Sequence, residues 1–201
     1  DVAMTVPVLR AFSLCYPEIK ITVVSRPFFK PFFDGIPNVD FFGVDLNQRH
    51  KGFLGLTRLF SDLKKLNVDA VADLHNVLRS QVVRTFFALS GKKVAATDKG
   101  RAAKKALTRF ENKLFEPVKS MVERHCTTFE KLGFPIDLKN PQFPQKATLS
   151  EEITTITGTK VTNWIGIAPF AQYEGKVYPI DLMQEVIDEL AKNQNQTIFL
   201  F

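Results

Sequence analysis

Cysteine, histidine and tryptophan are scarce in this 201-residue chain, with two, three and one copies. Cys15 and Cys126 have neither C-x-x-C nor metal-type spacing. A disulfide framework is therefore excluded, and two buried reduced thiols of a cytoplasmic protein are expected. His50, His75 and His125 form no i,i+4 pair and have no carboxylate cluster at ligand spacing, so no metal site is expected. No apolar run approaches the roughly 20 residues that span a bilayer, and no signal-peptide pattern opens the chain. The sequence also lacks G-x-x-x-x-G-K-[ST], G-x-G-x-x-G and G-x-S-x-G, along with internal repeats and low-complexity tracts.

What is present is a soluble, globular composition, 45% apolar and 24% charged, with an excess of phenylalanine. The 19 Phe residues are expected mostly in the core, because Phe buries a large area and needs no polar partner. Phe28-Phe29, Phe32-Phe33 and Phe41-Phe42 bracket a Pro-rich stretch, which reads as a loop packed back on a sheet rather than a docking patch. The net charge of +6 sits between Lys92 and Lys131, where eleven cations face five acids. Such a segment is either a solvated helix face or a surface for a polyanion.

Helix and strand patterns alternate. Residues 2–15 recur as a helix, 20–25 and 39–44 as strands, and 30–33 as a single helical turn. Residues 53–66 follow as an amphipathic helix, 70–74 as a strand, 77–89 as a helix closed by Ser90-Gly91, and 93–96 as a strand. A helical pattern covers 102–132, split at Pro117 into two helices. The proline-bearing stretch 138–144 reads as a linker. Beyond it, 164–168 and 197–201 are strands and 180–192 a helix. This alternation implies an α/β fold with an open, mostly parallel, doubly wound sheet, whose ligands bind beyond the C-terminal strand ends. The expected domains are 1–140, Rossmann-like, and 141–201, the opening of a second domain.

Three places then carry candidate chemistry. Asp1, at a helix N-terminus, either caps the helix or stays ionised as a general base. In Asp73-Leu74-His75-Asn76-Val77-Leu78-Arg79-Ser80, Asp73 either contacts a ligand or satisfies loop amides. Arg79 and Ser80, in the first turn of a helix, suit a phosphate or carboxylate. Lys176, in a strand–loop–helix connection before Pro179, either clamps a diphosphate or is a solvated loop lysine.

Together these segments resemble the family 9 glycosyltransferases, the lipopolysaccharide heptosyltransferases. Asp1-Val2 with Thr5-Val6-Pro7-Val8-Leu9 is similar to the family's G-D-V helix start and T-x-P-x-L. Asp73-Leu74-His75 with Arg79-Ser80 is similar to D-L-[QH]-x-x-x-[RK]-S, and Lys176-Val177-Tyr178-Pro179 to K-x-[WY]-P. The resemblance implies a GT-B architecture and inverting, metal-independent transfer from a nucleotide sugar, ADP-heptose, to the phosphorylated lipid A–Kdo core. No cofactor and no nucleic acid are implied. Asp1 would be the catalytic base and Lys176 the diphosphate ligand. Arg49, His50, Lys51, Asp73, His75, Arg79 and Ser80 would lie on the acceptor side. The implied location is cytoplasmic, peripheral at the anionic inner leaflet of the inner membrane.

The match departs from the family at the residues upstream of Lys176, where Pro169-Phe170-Ala171-Gln172 replace small hydroxyl residues. The chain opens on a helix pattern and closes on a strand pattern, so it is expected to be a piece truncated at both ends and inactive by itself. Two other readings stand beside this one. One is a non-catalytic basic α/β module for anionic membrane or nucleic acid, and the other is a different GT-B enzyme such as a nucleotide-sugar epimerase.

Overall fold

The computed structural model describes residues 2–139, 141, 143, 144 and 146–201. Two compact units make up the chain, Asp1–Phe143 and Pro144–Phe201, against an expected division at 140/141. In the first unit, β1 (Ile21–Ser25) pairs parallel with β2 (Val39–Gly43), Ile21 opposite Val39 and Ser25 opposite Gly43. β3 (Ala70–Asp73) pairs parallel with β4 (Lys93–Ala96), Asp73 opposite Ala96. In the second unit, β5 (Asn163–Ile167) pairs parallel with β6 (Gln196–Leu200). Parallel neighbours cannot be joined by a tight turn, so each pair needs a crossover. A 3-10 stretch, Pro27–Phe32, lies between β1 and β2, and helices lie between the other pairs.

The helices bury narrow apolar stripes. α1 (Val6–Cys15) tolerates Pro7 because the missing N–H falls in the first turn. It presses Val8, Leu9 and Phe12 against Phe33, Ile36 and Phe129. The Phe12 and Phe129 rings meet at a centroid distance of 4.8 Å. α2 (Gly52–Lys64) carries Leu56, Leu59 and Leu63 at three- and four-residue steps, one face of a helix. They join Val44 with Val83 and Phe87 of α3 (Leu78–Leu89) in a second cluster. Each fully buried side chain of this kind contributes about 1.5–3 kcal/mol.

The long helical pattern over 102–132 is corrected. Helix covers only α4 (Arg101–Leu107) and α5 (Met121–Lys131), and Pro117 starts neither. Asn112 takes a left-handed φ of 49°, which ends any helical run through it. Ser120 and Glu123 form a capping box that fixes the start of α5. Further on, α6 (Glu151–Thr157), opened by a Ser150 cap, was not expected, and α7 (Ile180–Ala191) was. Phe residues are also less buried than expected: Phe28, Phe53, Phe110, Phe115, Phe143 and Phe170 are exposed. Within the Pro-rich stretch the two outcomes divide, Phe33 being buried while Phe28 and Phe32 are exposed. Both cysteines are free, but Cys15, at the solvent side of α1, is exposed rather than buried. No helix among the described residues is long and apolar enough to cross a membrane.

Candidate active site

β3 ends on Asp73, whose side chain is only 3% exposed. A carboxylate so enclosed must be satisfied locally. Its Oδ1 accepts from the backbone N–H groups of His75 and Asn76 at 3.2 and 2.6 Å, and its Oδ2 from Arg84 Nη1 at 3.0 Å. Asn76 holds the turn with φ 46°, donating to the Thr97 carbonyl at 2.9 Å and accepting from Gln81 Nε2 at 3.0 Å. Asp73 thus ties the loop after β3 to α3 and to the end of β4. Ser80 is also engaged, its hydroxyl accepting from the Val77 N–H and donating to the Val77 carbonyl. His75 and Arg79 remain exposed. Partial burial, followed by the positive field of Lys99, lowers the His75 pKa, so the ring is neutral at neutral pH.

An open pocket of about 160 Å³ lies beside this loop, lined by Asn76, Gln81, Asp98, Lys99, Arg101 and Ala102. Asp98 is partly spent on the Gly100 N–H at 2.8 Å and lies 3.7 Å from Arg124. Lys99 and Arg101 make no hydrogen bond or ion pair among the described residues. The pocket therefore offers two uncommitted cations beside the Asp98 carboxylate, while the Asn76 and Gln81 amides are engaged with the Thr97 carbonyl and with each other. The cations are suited to a phosphate. Sequence reasoning counted Lys99 and Arg101 only within a general basic excess and missed Asn76, Gln81 and Arg84. The available signal was the three-residue spacing of Gln81 and Arg84 on one face of α3.

Beside the pocket the end of β4 is braced by a buried polar cluster. Thr97 Oγ1 lies 2.8 Å from Thr128 Oγ1 and 3.2 Å from His125 Nδ1. His125 is 1% exposed, and burial lowers its pKa. The ring is therefore neutral when folded.

The loop carrying Arg49, His50 and Lys51 is held by α2. Arg49 forks onto Asp62, its Nε donating at 2.9 Å and its Nη2 at 2.7 and 3.0 Å. That fork, helped by Lys65, lowers the Asp62 pKa to about 2. His50 is buried, its Nδ1 accepting from the Asp45 N–H at 3.1 Å and its Nε2 3.5 Å from Asp62. Gly55 allows this approach: a Cβ there would fall 2.2 Å from the His50 carbonyl carbon. Arg49 and His50 are thus engaged within the chain, whereas Lys51, at the N-cap of α2, is exposed.

In the second unit Lys176 closes a short 3-10 turn, Glu174–Lys176, between β5 and α7. It is exposed, with its ammonium 5.5 Å from the centroid of the Tyr173 ring. Asp1 lies outside the described residues. No group of three or more His, Cys, Asp or Glu could hold a metal ion among the described residues.

The sequence model of glycosyltransferase family 9 (heptosyltransferase) matches residues 56–201. The chain belongs to glycosyltransferase family 9. The match takes in the Asp73–Ser80 loop, the pocket and Lys176, while Arg49, His50 and Lys51 precede it. Two solved structures share the fold. The family 9 glycosyltransferase of Veillonella parvula DSM 2008 is 18% identical, with a TM-score of 0.73 over 100% of this chain and 59% of that one. E. coli ADP-heptose LPS heptosyltransferase II is also 18% identical, with a TM-score of 0.57 over 99% of this chain and 60% of that one. The chain thus spans about three-fifths of the length of each. No significant match is found among the curated proteins compared. The mixed α/β architecture with parallel strand pairs is that of the family's GT-B-like fold.

Proposed function

We propose that the full-length protein transfers a heptose or related sugar from ADP-heptose to the inner core of lipopolysaccharide, with inversion and without a metal ion or further cofactor. The observation that carries this reading is the family 9 match over residues 56–201, which includes a pocket with two uncommitted cations at the C-terminal strand ends. Two cations in an open pocket suit a phosphorylated acceptor, and a lipid-linked acceptor would keep the protein at the cytoplasmic face of the inner membrane. On the acceptor side, Lys99, Arg101, His75, Arg79 and Lys51 would meet the ligand. Asp73, Ser80, Arg49 and His50 would hold the loops that present them.

In this mechanism Asp1 removes the proton from the acceptor hydroxyl as its oxygen attacks the anomeric carbon. The bond from that carbon to the diphosphate oxygen breaks on the opposite face. ADP leaves with the bonding pair, and Lys176 neutralises the charge that develops on the diphosphate. The motif Asp1-Val2 followed by Thr5-Val6-Pro7-Val8-Leu9 supports the assignment of Asp1.

The test is sugar transfer by the full-length protein from ADP-heptose to a de-acylated phosphorylated acceptor. Asp1→Ala is expected to lower kcat by about 10²–10⁴-fold while calorimetry still detects ADP-heptose binding. Product NMR is expected to show an inverted anomeric centre. Unchanged transfer in Asp1→Ala would remove the base from the mechanism, and a retained configuration would overturn single displacement.

A further inference from the structure

The segment joining α4 to α5 has the opposite character to a packed connection. Residues 108–120 are all exposed, and among them Phe110 is 97%, Phe115 80% and Leu114 53% exposed. Val118 is also exposed. Between Arg101 and Lys119 stand six cations, Arg101, Lys104, Lys105, Arg109, Lys113 and Lys119, against only Glu111 and Glu116. Apolar rings held in water beside a dense positive charge are unfavourable for an isolated surface and mark one that meets a partner.

The segment is held at its base. Arg124, 8% exposed, donates from Nε to the Lys119 carbonyl at 2.9 Å and from Nη1 to the Asp98 carbonyl at 3.2 Å. Gly100, with φ 61°, leaves room for that guanidinium; a Cβ there would fall 2.2 Å from Arg124 Nη2. Higher up, the Leu114 N–H donates to the Ala106 carbonyl at 3.3 Å, closing a loop whose tip carries Phe110 and the left-handed Asn112. The loop therefore projects from fixed points.

We infer that this projecting loop is a membrane-docking surface that inserts Phe110, Leu114 and Phe115 into the headgroup region of an anionic bilayer while Lys104, Lys105, Arg109 and Lys113 meet the lipid phosphates. Charge complementarity selects this occupant, because the cations of residues 92–131 carry the whole net excess of the chain. Amphipathic surfaces of this composition lie in the plane of the bilayer interface. A single-stranded nucleic acid would use stacking rings and forked arginines. Here aliphatic Leu114 and Val118 accompany the rings, and lysine outnumbers arginine. The docking surface leads directly from the pocket wall. Arg101 and Ala102 line the pocket, and α4 is a seven-residue helix about 10 Å long. Docking would hold the pocket within headgroup reach of the membrane. This inference rests on the proposed lipid-linked acceptor for its biological setting, but the surface itself is tested without any acceptor.

The experiment is flotation of the full-length protein with phosphatidylcholine vesicles containing 30% phosphatidylglycerol, about a third anionic lipid as a cytoplasmic-leaflet mimic. Pure phosphatidylcholine vesicles and a single-stranded oligonucleotide serve as parallel probes. Binding to the anionic vesicles is expected, weakening with added salt. Phe110→Ser with Phe115→Ser is expected to weaken it about tenfold or more, and Lys104→Gln with Lys105→Gln and Lys113→Gln about fivefold per lysine. Both variants should keep the wild-type melting temperature and turnover on the de-acylated acceptor. Wild-type vesicle affinity in both variants would overturn the inference, as would equal binding to neutral vesicles. Oligonucleotide binding that is lost in the variants, without vesicle binding, would overturn it in favour of nucleic acid. Absent turnover on the de-acylated acceptor in wild-type protein would instead sink the proposed reaction, while the vesicle result still decides the surface.

Discussion

At the scale of single residues, three acidic side chains of the first unit, Asp45, Asp62 and Asp73, organise loops. Each accepts several bonds from its own neighbourhood, and a carboxylate so engaged is costly to turn toward a ligand, because its partners would lose their bonds. This is why Asp73 was readable as important but ambiguous in role: the sequence placed it at a strand end and could not reveal Arg84 eleven residues on. His125 gives the clearest pH consequence. Its folded pKa lies below the unfolded value, so its contribution to stability is full above about pH 6.5 and is lost as pH falls through the folded pKa. His75 is lowered too and adds to the same window. For Asp62 the contribution is present above about pH 4 and is lost only toward pH 2. Denaturant unfolding is therefore expected to show stability declining as pH falls below about 6.5. His125→Gln should reduce that slope, and adding His75→Gln should flatten it. An unchanged slope in the double variant would show that neither ring is held neutral by the fold.

Among the elements, legibility followed the strength of the local signal. β1, with Ile21, Thr22, Val23 and Val24, and α2, with its Leu56–Leu59–Leu63 stripe, were plain because β-branched runs and three–four spacing are what burial on a strand or helix face requires. The region after α4 misled because Leu107, Phe110, Leu114 and Val118 also recur at helical spacing. That spacing is not burial: Phe110 and Leu114 are in water, and Asn112 breaks the run. The decisive signal was the Ser120–Glu123 box, in which Ser120 Oγ accepts from the Glu123 N–H and Glu123 accepts from the Ser120 N–H. Ser120→Ala is expected to destabilise the first unit by about 1 kcal/mol in denaturant unfolding. An unaffected midpoint would mean the start of α5 is set by packing of Phe129 instead. The pocket was invisible for a related reason. Its lining comes from two segments some twenty residues apart, Asn76 with Gln81 and Asp98 to Ala102. The β3–β4 pairing, the Thr97 N–H on the Asp73 carbonyl and Asn76 on the Thr97 carbonyl bring them together.

For the whole molecule, the family assignment and the α/β fold follow from the match over 56–201 and from the parallel strand pairs, and the sequence motifs at Asp73–Ser80 and Lys176–Pro179 already pointed there. The division of labour proposed for the reaction is chemical: cations of the first unit for a phosphorylated acceptor, and Lys176 of the second for the departing diphosphate. The most direct test is acceptor-dependent ADP release by the full-length protein given ADP-heptose and a de-acylated phosphorylated acceptor. ADP release that requires the acceptor, and that falls about 10²–10³-fold in Lys176→Ala, is expected. No acceptor-dependent release by the wild-type protein, or undiminished release in Lys176→Ala, would contradict it.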